Sequence, residues 1–199
     1  MSNFEESDNF MTSNRMLALT DGIFAIAMTL LVLSIGVPHV SGQISNTAIQ
    51  ESLYTIVSPF ISFVLSFILL AMFWVVNHRQ LHYVKHVDDA FLWINIIWLL
   101  FIVIVPFTTD LTGTYGGYTV SQLIFNLNLL GIAFFLYLSW YYATRKGLVS
   151  SKINKKKLDS MRRTCLLFIA VSAVATGLSF IIPNGSSIVY LILLVEKVI

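Results

Sequence analysis

The chain alternates between long apolar runs and short polar stretches, and the apolar runs have the length of membrane-crossing helices. A helix needs about 20 consecutive, mostly apolar residues to cross the hydrocarbon core of a bilayer. Runs of this kind predict six spans, at residues 15–37, 53–76, 90–108, 119–143, 162–182 and 186–199, the last of them short for a full crossing. We therefore expect an all-α integral membrane protein, a six-transmembrane-helix bundle that forms one domain over residues 1–199.

Composition supports this class of protein. The chain is 57% hydrophobic and 11% charged, with a mean hydropathy of +0.81, whereas a soluble domain carries about 25% charged residues. The sequence contains no phosphate-binding glycine loop and no dinucleotide fingerprint, and its single cysteine, Cys165, has no partner for an internal disulfide. We therefore expect neither an enzyme nor a nucleotide-driven pump, and no cofactor and no nucleic-acid partner.

The distribution of basic residues predicts how the bundle is oriented. Arginines and lysines occur at the start of span one, between spans two and three, around the connection between spans four and five, and near the C-terminus, but not in segments 38–52, 109–118 or 183–186. Cytoplasmic loops carry the excess of Lys and Arg. A multi-pass protein of the cell membrane with both termini in the cytoplasm is therefore expected.

One connection is strongly basic. Residues 145–163 hold eight of the twelve basic residues of the chain. Such a segment either sets the topology alone or also attracts anionic lipid headgroups. The sequence favours the first explanation and leaves the second open.

A few polar side chains interrupt the spans and are candidates for a structural or functional site. Arg15 and Asp21 lie at the start of span one, nearly two helical turns or about 9 Å apart, so each is expected to find its partner on another helix. His78 follows Trp74 by four residues, which places both on one helix face that could reach span one. Asn95 lies within span three, where an amide commonly hydrogen-bonds across helices. Two further amides, in span four, have the same setting: Asn126 and Asn128.

Two motifs are interpreted as non-functional. Segment 112–118 is similar in composition to the filter of potassium channels, but the order of residues differs and no amphipathic pore helix precedes it. We expect it to be a turn at the membrane interface. His78, His82 and His86 would align on one helix face, but the carboxylates that could complete a metal site, Asp88 and Asp89, follow in a loop, and we interpret the three as interfacial histidines at a helix end.

Span one carries an apolar face as well as its two charges. Ile26, Thr29, Leu30 and Leu33 recur at i, i+3, i+4 and i+7, which is one side of a helix. Periodicity alone is typical of ordinary helix packing and assigns no function to these residues.

The start of span one resembles a known family. Arg15, three residues, and then Leu19, Thr20 and Asp21 resemble the Arg-x-x-x-Phe-Ser-Asp signature of the transmembrane-protein-175 family. The likeness continues through residues 29–32, through Trp74, Asn77 and His78, and through Asn95 and residues 106–107, whereas the later spans match in hydropathy alone. Leu19 and Thr20 depart from the signature, which removes an aromatic ring but keeps the hydroxyl.

The resemblance implies a potassium-permeable cation channel of the prokaryotic, single-repeat type. Such a channel has no conventional filter, assembles as a homotetramer and places span one along the pore. Carried over by position, a hydrophobic constriction falls on Ile26, with Leu30 and Leu33 on the same face and the Thr29 hydroxyl beside them. Moderate preference for potassium over sodium would follow from this constriction.

The resemblance also suggests partners for the two charges of span one. It implies a structural network between spans one, two and three, formed by Arg15, Thr20, Asp21, Trp74, His78 and Asn95. Two rival functions remain open on the sequence. One is a proton-coupled secondary transporter that uses Asp21 and His78 as a relay, and the other is a non-conducting membrane scaffold.

Overall fold

Long apolar helices account for most of the structure. The structure is a computed structural model, and it describes residues 12–40, 42–151 and 153–195. Among these residues, five helical stretches are long and apolar enough to cross a membrane. Their helices are α1 (Ser13–Leu30, continued by a 3₁₀ helix, Leu31–Ile35), α2 (Asn46–Leu53, joined through a 3₁₀ turn to α3, Val57–Tyr83), α4 (Asp89–Tyr115), α5 (Thr119–Arg145) and α6 (Lys155–Leu178). A 3₁₀ helix, Pro183–Tyr190, and a short α7, Leu191–Val195, follow.

Local sequence explains where several helices begin and end. The Thr12 hydroxyl accepts a hydrogen bond from the Arg15 backbone N–H at 3.4 Å, and the Asp88 carboxylate accepts one from the Phe91 N–H at 2.8 Å. Each side chain satisfies an N–H that has no partner within its helix. The 3₁₀ extension of α1 ends at Gly36, whose φ of +61° is unfavourable for residues with a side chain.

Consecutive long helices pack against each other, and α5 lies at the centre. Half of its apolar window is buried, against a third or less for each of the other long helices. The core includes Trp98 and Ile102 of α4, which are fully buried, and the Trp98 indole donates to the Ile132 carbonyl of α5 at 3.1 Å. At Gly131 an added Cβ would lie 2.5 Å from the Phe101 ring, so glycine permits this close approach of α4 and α5.

The two connections that carry most of the basic residues meet at one end of the bundle. Val84, after α3, forms an isolated antiparallel bridge with Val149, after α5. The backbone N–H of Lys85 donates to the Leu148 carbonyl, and that of Ser150 donates to the Tyr83 carbonyl, each at 2.9 Å. We call this end, with the start of α1 and residues 79–89 and 145–163, the basic end.

Several boundaries differ from those that hydropathy predicts. α6 begins at Lys155 rather than at residue 162, because its first turns are exposed to water and Asn154 caps them. The helix after residue 46 likewise starts earlier than predicted, since α2 is a polar extension in which no residue is buried.

The end of the chain and the filter-like segment also take defined forms. Where a sixth span was predicted over 186–199, the described residues form the 3₁₀ helix Pro183–Tyr190 and α7, and residues 196–199 lie outside the described part. The filter-like segment is the last turn of α4 followed by a turn at Gly116 and Gly117.

Candidate pore-lining helix and its polar clasp

One side of α1 is packed into the bundle and the other is uncovered. The packed side is formed by Met16, Thr20, Phe24, Ala27 and, just beyond α1, Leu31, all of them at most 2% exposed. On the other side Ile26 is 61% exposed and Leu30 is 43% exposed, and Leu33 in the 3₁₀ extension is 71% exposed. The uncovered side is therefore apolar, and a single chain leaves it without a partner.

Residue spacing explains which residues of α1 face the uncovered side. Each residue turns a helix by about 100°. Thr29 thus lies about 180° from the buried Thr20, and Ile26 about 160° from the buried Phe24. Gly22 also lies on the open side, where an added Cβ would meet nothing within 4 Å.

Thr29 presents an oxygen atom rather than a hydroxyl hydrogen to this open side. Its Oγ1 donates to the Ile26 carbonyl at 2.8 Å, within its own helix. With the hydrogen used in this way, the remaining lone pairs of Oγ1 can accept from water or approach a cation. Thr29 is exposed, so this oxygen is accessible.

A side-chain hydrogen bond joins α1 to α3 near the basic end. The Trp74 Nε1–H donates to Asp21 Oδ1 at 2.8 Å in a partly buried setting. The His78 ring packs against the Trp74 indole with centroids 5.4 Å apart. We call Asp21, Trp74 and His78 the clasp. The bond from Trp74 to Asp21 holds α1 against α3 about one and a half turns before Ile26 and so helps to orient the open side.

Asn95 and Thr20, two other members of the predicted network, do not bond to the clasp. The Asn95 amide donates to the Phe91 carbonyl at 2.8 Å and to Ser139 Oγ at 3.0 Å, so its bonds lead to α5 and not to Asp21. Thr20 Oγ1 and His78 Nδ1 are buried without a hydrogen bond in the described part of the chain. Arg15 lies exposed in the first turn of α1.

Aromatic packing that the sequence analysis did not single out also positions α1. The Phe24 ring packs against the Trp98 ring of α4, with centroids 5.5 Å apart. Phe24 follows Thr20 by four residues and precedes Ala27 by three. This spacing would have placed it on the same helix face, but only the fold identifies Trp98 as its partner.

Histidines and acids do not form a metal site in the residues that the structure describes. No group of three or more His, Cys, Asp or Glu is close enough to hold an ion there. Because α3 ends at Tyr83, His86 does not continue the helical face of His78 and His82.

Fold and site together define a multi-pass helical membrane protein whose first transmembrane helix leaves an apolar face uncovered. Residues 15–106 match the family model described as "Endosomal/lysosomal potassium channel TMEM175". This match includes the clasp and all of α1 from Arg15 onward.

Curated bacterial proteins resemble most of the chain. A potassium channel of Chamaesiphon minutus is 31% identical over 173 residues, which cover 85% of each sequence. A potassium channel of Streptomyces collinus is 28% identical over 174 residues, covering 85% of this chain and 83% of the relative. The crystal structure of a lysosomal potassium-selective channel TMEM175 homolog from Chamaesiphon minutus superposes with a TM-score of 0.81 at 28% identity, covering 92% of this chain and 94% of the other. The chain belongs to the TMEM175 family, as a member of its prokaryotic type, and this family and these relatives are ion channels rather than enzymes.

Proposed function

We propose that four copies of this chain form a potassium-permeable cation channel in the cell membrane, with both termini in the cytoplasm. The observation that carries the proposal is the uncovered apolar side of α1, with Ile26 61% exposed on a helix whose opposite side is fully packed. A single chain has nothing to cover this side, and a ring of four α1 helices around an axis would enclose it. The bacterial relatives named as potassium channels support the choice of ion.

The pore is narrowed by side chains rather than by a cage of backbone carbonyls. Rings of Ile26, Leu30 and Leu33 form a hydrophobic constriction that gates by dewetting. Potassium is less strongly hydrated than sodium, so shedding part of its water shell costs less. The preference for potassium is therefore moderate.

Thr29 assists permeation beside this constriction. Its hydroxyl donates to the Ile26 carbonyl of its own helix, which leaves the lone pairs of Oγ1 available to a cation. Four such oxygens give a partly dehydrated cation a polar contact between apolar rings. The clasp keeps α1 in the orientation that turns Thr29 toward the pore. Asp21 contributes to this orientation through its hydrogen bond with Trp74 and does not contact the ion.

Bilayer recordings of constriction variants test the proposal. Ile26→Asn and Leu30→Ala should raise single-channel conductance and shift the reversal potential toward equal permeability for potassium and sodium, because each loosens the apolar ring. Leu100→Ala is the matched control, since it makes the same kind of truncation at an exposed apolar residue, 58% exposed, of a different helix, α4. It should keep the wild-type reversal potential. Unchanged selectivity in both α1 variants would refute the constriction.

Conductance also separates the channel from the transporter that the sequence left open. A carrier turns over far fewer ions per second than a pore passes, so resolved single-channel currents exclude a carrier. Potassium-independent, proton-coupled flux that is lost in His78→Ala would instead support the relay. The absence of any flux from well-assembled protein would support the scaffold.

A further inference from the structure

A cavity between α5 and α6 lies at the basic end. Its volume is about 250 Å³. Tyr137, Tyr141 and Arg145 line it from α5 at four-residue intervals, and Leu158 and Arg162 line it from α6, also four apart. Residues four apart share one face of a helix, so each helix presents a continuous ridge to the cavity.

Each helix contributes one arginine to this cavity. Arg145 is held in place by Tyr141, whose hydroxyl accepts from Arg145 Nε at 3.0 Å and whose ring centroid lies 5.5 Å from Arg145 Cζ. That bond uses one of five guanidinium N–H donors. Asp159 also lines the cavity, yet in the described part of the chain neither Arg145 nor Arg162 forms a salt bridge. With two arginines and one aspartate in its lining, the cavity keeps a net positive charge and unused donors.

Apart from the polar Thr144, the rest of the lining is aromatic and apolar. Tyr137 and Tyr141 stack with centroids 6.1 Å apart and an angle of 24° between the rings, and Trp140 and Leu158 complete this surface. Tyrosine and tryptophan are enriched where the hydrocarbon core of a membrane meets the headgroups. The cavity thus combines an apolar wall with a cationic rim.

We propose that this cavity binds a phosphate group, supplied by the headgroup of an anionic phospholipid. Guanidinium groups from two walls donate paired hydrogen bonds to phosphate oxygens, and the start of an acyl chain lies along Tyr137 and Trp140. Basic pockets between transmembrane helices have this chemistry for anionic headgroups. Free phosphate offers the same oxygens but nothing for the apolar wall, which is why the lipid is the preferred source.

Native mass spectrometry of the delipidated protein in detergent tests the site directly. Phosphatidylglycerol and phosphatidylcholine with identical acyl chains are titrated, each with and without inorganic phosphate. The pocket variant is Arg145→Gln with Arg162→Gln. The matched control is Lys155→Gln with Lys156→Gln, which removes equal charge from exposed residues of α6 outside the cavity.

The preference for phosphatidylglycerol over phosphatidylcholine should fall about tenfold in the pocket variant and less than about threefold in the control, because only the pocket variant loses the guanidinium charge that favours a net anionic headgroup over a zwitterionic one at the cavity. Millimolar inorganic phosphate should not displace the lipid. Equal losses of preference in both variants would show that general surface charge attracts the lipid, and this would overturn the proposal. An unchanged preference in the pocket variant would overturn it as well. Displacement by inorganic phosphate would overturn the lipid as the source.

Folding is checked by size-exclusion chromatography and helical circular dichroism. Where the double pocket variant fails to assemble, Arg162→Gln alone replaces it, since Arg162 is exposed and its substitution leaves the core intact. The experiment measures lipid binding rather than ion flux, so its result is independent of whether the proposed channel activity is correct.

Discussion

The hydrogen bond between Trp74 and Asp21 predicts that these two side chains are energetically coupled. The Nε1 to Oδ1 distance is 2.8 Å and the bond is partly buried. A hydrogen bond to an ionised carboxylate contributes about 1.5–3 kcal/mol, so Trp74→Phe should lower the free energy of unfolding by about 2 kcal/mol. Asp21→Asn keeps a carbonyl oxygen as acceptor and should cost about 1 kcal/mol. Once Trp74 has lost its donor, Asp21→Asn should add little, and the shortfall from additivity should be about 1 kcal/mol.

Thermal unfolding of the assembled protein in detergent, followed by size-exclusion chromatography, measures these changes. For a chain of this length about 1 kcal/mol corresponds to a shift in Tm of about 2–4 °C, so Trp74→Phe should lower Tm by about 6 °C. Trp93→Phe is the matched control, because Trp93 is 62% exposed on α4, and its Tm should stay near that of the wild type. Additive losses in the double variant, or equal losses at Trp74 and Trp93, would refute the clasp. Assembled Asp21→Asn with changed ion selectivity would instead place Asp21 in the permeation path.

Two pairs of substitutions test how the helices pack. Gly113→Ala should lower Tm in the same assay, because the new Cβ would lie 2.9 Å from the Pro59 Cα and force α3 and α4 apart. The control is Gly177→Ala in α6, where the new Cβ meets nothing within 4 Å, so Tm should stay the same or rise. Equal Tm values for the two variants would contradict the close approach of α3 and α4. Asn126→Ala should cost about 3 kcal/mol, because the two Nδ2 hydrogens lie among three buried acceptors at the end of α6 and in the following 3₁₀ helix, and Oδ1 accepts from the Tyr190 hydroxyl. Asn128→Ala removes a single bond, to the Phe101 carbonyl at 3.2 Å, and should cost about 1 kcal/mol, so similar losses at both amides would argue against the buried network.

The candidate site was partly accessible from sequence because some of its features are local. The period of Ile26, Thr29, Leu30 and Leu33 on a helix is set by backbone geometry alone. Their position on the uncovered side of the first helix could not be predicted from the sequence, since periodicity cannot distinguish an uncovered face from a packed one. Likewise Asn95 is recognisable as an amide that needs a partner, but its partner, Ser139, comes from a helix 44 residues further along the chain.

The cavity between α5 and α6 depends still more on tertiary structure. The sequence identifies residues 145–163 as basic and as a possible contact for anionic lipids. It does not reveal that α6 already begins at Lys155, or that Arg162 within this helix lines the same cavity as Arg145. A helix boundary in a polar, exposed segment depends on capping and packing, which hydropathy does not report.

The sequence by itself determined the class of protein, the five long helices and the end of the bundle at which basic charge gathers. These follow from the cost of burying charge in hydrocarbon and from the fixed rise of a helix, both of which act within a segment. Only the tertiary structure decided which side of α1 is left uncovered, that Trp74 holds Asp21, and that the chain after Pro183 forms a 3₁₀ helix before α7. Those features arise where distant segments meet, because a side chain's partner is set by packing rather than by its neighbours in the sequence.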